Sequence, residues 1–346
     1  MINLLIFIVF ASIVIYFSRR SNFLPNFSGE THQQYLKESK VPLIGGFFII
    51  IISFVIFFKI SNYFYYTIVS IFLIGLFSDG KILSSPKIRI LLQLIIVFSF
   101  VYLLKLEVTP TRINFIDRLF ENTLLSFLFT TFCLMILING SNFIDGLNGL
   151  LIGYFLIILA LLLKLNLINS IEINQSALIF FIGSIIFLLI LNYSNFFYLG
   201  DSGAYSIGII MGYLLITIYE KVDYISPYYI ILLLWYPCFE NLFSIIRKNK
   251  FKNSPINPDN KHLHQLLYFY LKKNFSLKNL FANNLGSIII NSFNLIIFII
   301  ASNNYSSTIF QLFLIIFCIA SYLLFYRFLF NYRFLKKKFF IKKLIC

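Results

Sequence analysis

Charge is scarce in this chain: Asp, Glu, Lys and Arg make up 12% of its 346 residues, against 60% hydrophobic ones, and the mean hydropathy is +0.88. That leaves too little polar surface for a water-soluble globule, in which roughly a quarter of residues are charged. Cysteine is scarce too. Cys133, Cys238, Cys318 and Cys346 stand far apart, three of them inside apolar stretches, which excludes a paired zinc or redox motif. No internal repeat or low-complexity linker breaks the chain, so residues 1–346 read as one integral domain. The first apolar stretch lacks a basic head and a small-residue cleavage site, and Arg19 and Arg20 follow it directly. It is expected to be a retained anchor rather than a removed signal peptide.

What the chain has in abundance is apolar length. Stretches near 2–17, 42–58, 62–77, 88–104, 123–138, 148–165, 177–191, 203–219, 226–246, 285–301 and 307–330 approach the roughly 20 residues that cross a bilayer as a helix. The expected fold class is all-α, a polytopic integral membrane protein with about 10–11 transmembrane helices. With the N-terminus external, one set of loops holds only Lys59, Lys105, Arg112, Arg118, Lys164 and Lys221 of the 28 basic residues. The rest lie opposite. By the positive-inside rule that second side is cytoplasmic, and it comprises loops near 18–41, 78–87, 139–147, 192–202 and 247–284 with the basic tail 331–346. The predicted location is the inner (plasma) membrane, multi-pass, with the N-terminus external and the C-terminus cytoplasmic. Because the basic residues follow membrane sidedness, the +15 charge points to membrane lipids and anionic substrates, and nucleic acid is not an expected partner.

The polar motifs gather on the same face, where an active site is therefore expected. Asp79 lies in GLFSDGKILSSPKIRILLQ, Asn142 and Asp145 in NGSNFIDGLNGL, and Asp201 in YLGDSGAYSIG, with His262 and His264 in the basic loop. An ionisable group at a membrane boundary is costly and marks a functional site by default. One such aspartate alone reads equally as a helix cap, but three converging loops point to shared chemistry. Carboxylate and amide oxygens are the hard donors magnesium takes alongside substrate phosphates, and manganese is a workable substitute. If the run at 139–150 begins a helix, Asn142 and Asp145 share a face, and Gly146 and Gly149 allow close backbone approach. Glu240 either lines a donor site or pairs with Arg247, two helical turns on.

Five motifs together resemble the polyprenyl-phosphate N-acetylhexosamine-1-phosphate transferase family. They are Pro42-Leu-Ile-Gly45-Gly46, the Asp79 segment through Lys87 to Gln93, NFIDGLNGL at 142–150, GDSGAYSIG at 200–208 and SPINPDNKHLHQLL at 254–267. The resemblance covers about residues 19–267, and motif order across alternating loops makes it far more specific than any single motif. It implies transfer of a sugar 1-phosphate from a UDP-N-acetylhexosamine to a polyprenyl (undecaprenyl) phosphate, releasing UMP, as the first membrane step of an envelope glycan such as O-antigen or teichoic acid. Carried over by motif, Asp79, Asp145 and Asp201 are the catalytic residues, and Asp201 with Asn142 holds the metal. Asn142, Asn148, His262, His264, Lys87, Gly45 and Gly46 bind substrate.

The chain departs from the family pattern at Ser78, where an aspartate pair is usual, and at Gln265, where a third histidine is. Asn260 and Lys261 stand where an arginine and an acidic residue are common. The SSPKIRILLQ continuation resembles the glycan-initiating branch more than the phospho-N-acetylmuramoyl-pentapeptide transferases, which stay as the alternative. A homodimer is among the partners such an enzyme allows. Two other classes compete: an intramembrane aspartyl protease built on Asp145 and Asp201, and a transporter. The protease would need neither magnesium nor a histidine loop, and the transporter would need polar access from both faces.

Overall fold

The computed structural model describes residues 2–25, 41–56, 61–171, 175–250 and 261–335. Among them the chain is helical: α1 (Ile2–Ser21), α2 (Gly45–Ile56), α3 (Asn62–Asp79), α4 (Pro86–Leu104), α5 (Asn114–Leu119), α6 (Thr123–Ile144), α7 (Leu150–Lys164), α8 (Gln175–Tyr193), α9 (Gly200–Lys221), α10 (Pro227–Leu233), α11 (Trp235–Lys250), α12 (Leu263–Phe275), α13 (Asn279–Ser302) and α14 (Thr308–Phe330). Extended backbone is limited to isolated bridges, Pro25 with Pro42 and Leu43 with Tyr198.

Each of the eleven expected stretches falls on a helix, but not all make a full crossing. Among the described residues seven helices, α1, α4, α6, α8, α9, α13 and α14, are long and apolar enough to span a membrane, and α10 with α11 makes an eighth bent by 72°. The apolar helices of the second and sixth stretches are short. The ninth stretch is broken because Pro237, which has no N–H to give, can stand only in the first turn of a helix, so α11 restarts at Trp235 in a new direction. Helix α6 closes on that break. A Cβ at Gly140 would lie 2.3 Å from the Pro237 carbonyl oxygen.

The core is organised around α9, in which every residue from Ser202 to Ile218 is buried. Small residues permit this, since helices in a bilayer gain by close packing rather than by hiding apolar surface. A Cβ at Gly208 would lie 2.8 Å from the Ile138 Cα, and one at Gly212 2.4 Å from the Leu134 side chain, so α9 presses on α6. On its other flank Gly75 lets α3 touch backbone: a Cβ there would lie 2.3 Å from the Ser202 Cα. That neighbour is main chain and cannot rotate away. Gly75→Ala is therefore expected to lower stability by about 1–3 kcal/mol, the usual range for overpacking, read as a lower apparent Tm in lipid nanodiscs. An unchanged Tm would remove the close packing of α3 on α9 from the account.

Candidate active site

Helix ends build the site. The C-termini of α3 and α6 meet the N-termini of α4, α9 and α12, so residues as far apart in sequence as Ser78 and Asp201 share one end of the bundle. Asp79 closes α3, and its carboxylate accepts from the N–H of Asp201 (2.8 Å), the N–H of Ser202 (3.1 Å) and the Ser202 hydroxyl (2.7 Å). It thus caps α9 from a neighbouring helix, satisfying N–H groups that a helix leaves open at its start. Gly200 makes room for it: its φ is +71°, and a Cβ would crowd the Asp79 carboxylate at 2.6 Å. The resemblance implies a catalytic Asp79; in this structure its carboxylate holds the first turn of α9 and so positions Asp201.

Asp201 is a partly exposed carboxylate held from the other side. Its Oδ2 accepts from the Ser78 hydroxyl at 2.6 Å and from Arg89 at 2.6 Å, and Arg89 also donates to the Ser78 hydroxyl. Ser78, which replaces the usual first aspartate, is therefore a bridge between a cation and the working carboxylate. Arg89 was missed in favour of Lys87, which is exposed. Helix periodicity could have found it. In a helix starting at Pro86, Arg89 lies four residues before the fully buried Gln93 and so on the inward face, whereas Lys87 is turned away from it.

The run at 139–150 ends a helix instead of beginning one. α6 continues through Ile144, the Asp145 N–H donates to the Asn142 carbonyl at 3.3 Å, and α7 starts after Gly149, whose φ of +74° admits no ordinary side chain. The polar residues extend α6 because they find partners: Asn139 donates to Gln93 at 3.1 Å and Asn142 to the Tyr205 hydroxyl at 3.3 Å. Asn142 and Asp145 still end up one turn apart. Asp145 has no hydrogen-bond donor among the described residues. Burial, then the carboxylates of Asp201 and Asp79, push its pKa well above the usual carboxylate value.

The histidine segment closes the other side. The His262 ring stacks on Phe143 with centroids 5.3 Å apart and on His264 at 5.7 Å, while Gly146 lies so close to His264 that a Cβ would meet its ring at 2.1 Å. Gln265 accepts from the His262 N–H at 3.2 Å, so where a third histidine is usual this chain uses an amide to start α12. Glu240 is fully buried and pairs with His262; of its two expected parts, lining a donor site or pairing with Arg247, the second is not seen, and Arg247 reaches the Lys261 carbonyl and the Tyr326 hydroxyl.

Three of the expected substrate contacts are packing residues. A Cβ at Gly45 would lie 2.6 Å from the Leu199 Cα and one at Gly46 2.5 Å from the Ser202 hydroxyl, so the pair seats α2 against the start of α9. Asn148 is buried, its N–H donating to Asn283 at 2.7 Å and its amide to Asn195 at 3.4 Å. Polar anchoring of the α6–α7 turn explains its presence. The residues 254–260 of the fifth motif, with Asp259 and Asn260, lie outside the described residues, as do most of the 18–41 loop and tail residues 336–346.

The donor set suits a hard divalent cation. Asp201 and Asp145 supply carboxylates and Asn142 an amide oxygen, and the unpartnered Asp145 beside two other carboxylates is the observation a cation would answer. No group of three His, Cys, Asp or Glu side chains converges on one point among the described residues. Magnesium does not need such a cage, since it keeps waters and takes one or two carboxylates.

One end of a bundle of apolar helices thus brings carboxylates, an arginine and histidines together. Residues 61–219 match the model of glycosyl transferase family 4. It is 27% identical over 228 residues, 65% of this chain and 67% of the relative, to a Thermotoga maritima undecaprenyl-phosphate alpha-N-acetylglucosaminyl 1-phosphate transferase. It is 28% identical over 202 residues to a probable undecaprenyl-phosphate N-acetylglucosaminyl 1-phosphate transferase of Bacillus subtilis, and 26% over 164 residues to a Mycolicibacterium smegmatis decaprenyl-phosphate N-acetylglucosaminephosphotransferase. The matched stretch spans 56% and 40% of those last two proteins.

Proposed function

We propose that the protein transfers N-acetylhexosamine 1-phosphate, with N-acetylglucosamine as the first candidate, from a UDP-sugar to a polyprenyl phosphate on the cytoplasmic face of the membrane. The observation that carries the reading is the meeting of Asp201, Asn142, Asp145, Arg89 and His262 at one end of the bundle. A phosphate oxygen of the lipid attacks the sugar-bearing phosphorus of the donor, the diphosphate P–O bond breaks, and UMP leaves with the electron pair. Both partners are anions, so the site must position them in line and offset their charge. Asp201, Asp145 and Asn142 would hold magnesium, which supplies charge neutralisation at the diphosphate when bound. Arg89 and His262 add cationic or donor groups on either side, and Asp79 fixes Asp201. The lipid phosphate is largely ionised near neutral pH, its second pKa being about 6 as for protein phosphates, so no strong base is required.

The names of the relatives favour the N-acetylglucosamine branch over the pentapeptide-handling one. Purified protein with undecaprenyl phosphate, magnesium and UDP-N-acetylglucosamine is expected to release UMP, and stripping the divalent cation with EDTA is expected to abolish release, with recovery on adding magnesium or manganese. A panel of UDP-sugars in the same assay identifies the donor. No UMP from any of them would sink the reading.

A further inference from the structure

Glu240 is a charged side chain inside the bundle with no exposed surface, and both of its oxygens are engaged. Oε1 lies 2.9 Å from the Nδ1 of His262, and Oε2 accepts from the Tyr322 hydroxyl of α14 at 2.7 Å. Such a carboxylate cannot reach a substrate. It is also expensive to bury unless it does something through its partner. The partner stacks on Phe143, the residue between Asn142 and Ile144 at the end of α6, and so stands beside the carboxylate cluster.

We propose that Glu240 is the positioning residue for His262 in donor-nucleotide binding, an inference that rests on the transferase reading above. A carboxylate only accepts, so Nδ1 must be the nitrogen carrying the proton toward it. Glu240 thereby fixes the rotation of the ring; to donate to a diphosphate oxygen the ring must carry a proton on each nitrogen, a charge that the buried carboxylate balances, and Nε2–H is the donor assigned to the diphosphate. Tyr322 holds the second oxygen, which keeps the carboxylate from swinging off the imidazole. A carboxylate behind a metal-bound histidine orients the ring in the same way, although there Nε2 offers a lone pair to the metal and here Nε2–H offers a proton to the diphosphate. The break between α10 and α11 serves this purpose, because it turns the Glu240 segment toward the start of α12.

The chain contains three histidines, so ring nitrogens can be followed in protein labelled with ¹⁵N-histidine, with His262→Gln and His264→Gln assigning the signals. In the unliganded protein His262 is expected to show a protonated, hydrogen-bonded Nδ1 that is lost or exchange-broadened in Glu240→Gln. UDP itself is the binding probe. Glu240→Gln is expected to weaken UDP binding, read by calorimetry in nanodiscs, by about tenfold or more, the typical effect of removing a histidine's orienting partner. In a His262→Gln background the same substitution is expected to have no further effect, because the two act as one unit. That double variant also serves if Glu240→Gln alone does not fold, since it buries no unpaired charge. Unchanged His262 signals, or losses in UDP affinity that simply add, would overturn the assignment. The ring signals are read without substrate, so their failure leaves the transferase reading standing, whereas failure of UMP release with the ring signals as expected condemns that reading and keeps the Glu240–His262 pair.

Discussion

Asp201→Asn is expected to leave a folded protein whose turnover falls by about 10²–10³-fold, the scale seen when one group that offsets developing charge is removed from an active site. The substitution keeps shape and one acceptor oxygen, so the Ser78 hydroxyl and Arg89 still find a partner. What it removes is the negative charge that a divalent cation needs. The ion pair with Arg89 is partly exposed, with 21% and 23% of the two side chains accessible, and pairs of that kind stabilise by about 0–1 kcal/mol. Apparent Tm without metal should therefore hardly move. Magnesium is expected to raise the Tm of the wild type, and that rise should shrink or vanish in the variant. Full activity, or an unaltered magnesium effect, would remove Asp201 from the metal assignment.

Asp79→Ala is expected to behave differently, losing stability and activity together. It strips three hydrogen bonds from the first turn of α9 and leaves two main-chain N–H groups and a hydroxyl inside the protein without an acceptor. Loss of a helix cap alone is worth about 0.5–2 kcal/mol, and each unsatisfied buried donor adds about 1–3 kcal/mol. Turnover should fall by about 100-fold or more, because a shift of about 1 Å in the carboxylate next door is enough for that. Asp79→Asn, which keeps one accepting oxygen, should recover part of the stability. If Asp79→Ala melted like the wild type while losing turnover, the capping role would be wrong and a direct contact with the lipid phosphate would be the better account.

The contrast between these two aspartates was not legible in the sequence. Apolar run length is a strong signal, and each expected stretch does carry a helix, but run length cannot say which of two neighbouring carboxylates faces water and which faces a helix end. The meeting of the three aspartates with the histidine segment was readable from their alternation between spans. The glycines misled. Gly45 and Gly46 sit in a motif beside polar loops, yet the helix-against-helix approach that requires them involves Leu199 and Ser202, more than 150 positions away. Asn148 misled for a similar reason: its partners Asn195 and Asn283 are invisible as a network until the chain is folded. Arg89 and Lys87 differ only in which side of α4 they occupy, and a helical wheel from Pro86 would have told them apart.

Asp79 has a consequence for how negative charge is met. A helix start usually offers free N–H groups and the positive end of its dipole, roughly half an elementary charge, to an incoming phosphate. Here that end of α9 is already occupied by a carboxylate from the same chain. On the proposed reading, a diphosphate arriving beside Asp201 would meet a helix start already occupied by Asp79, so its charge would have to be balanced chiefly by side chains and a bound cation. Affinity for the donor should accordingly fall with rising salt and with loss of the cation, as expected of binding through discrete charges rather than through a built-in main-chain cradle.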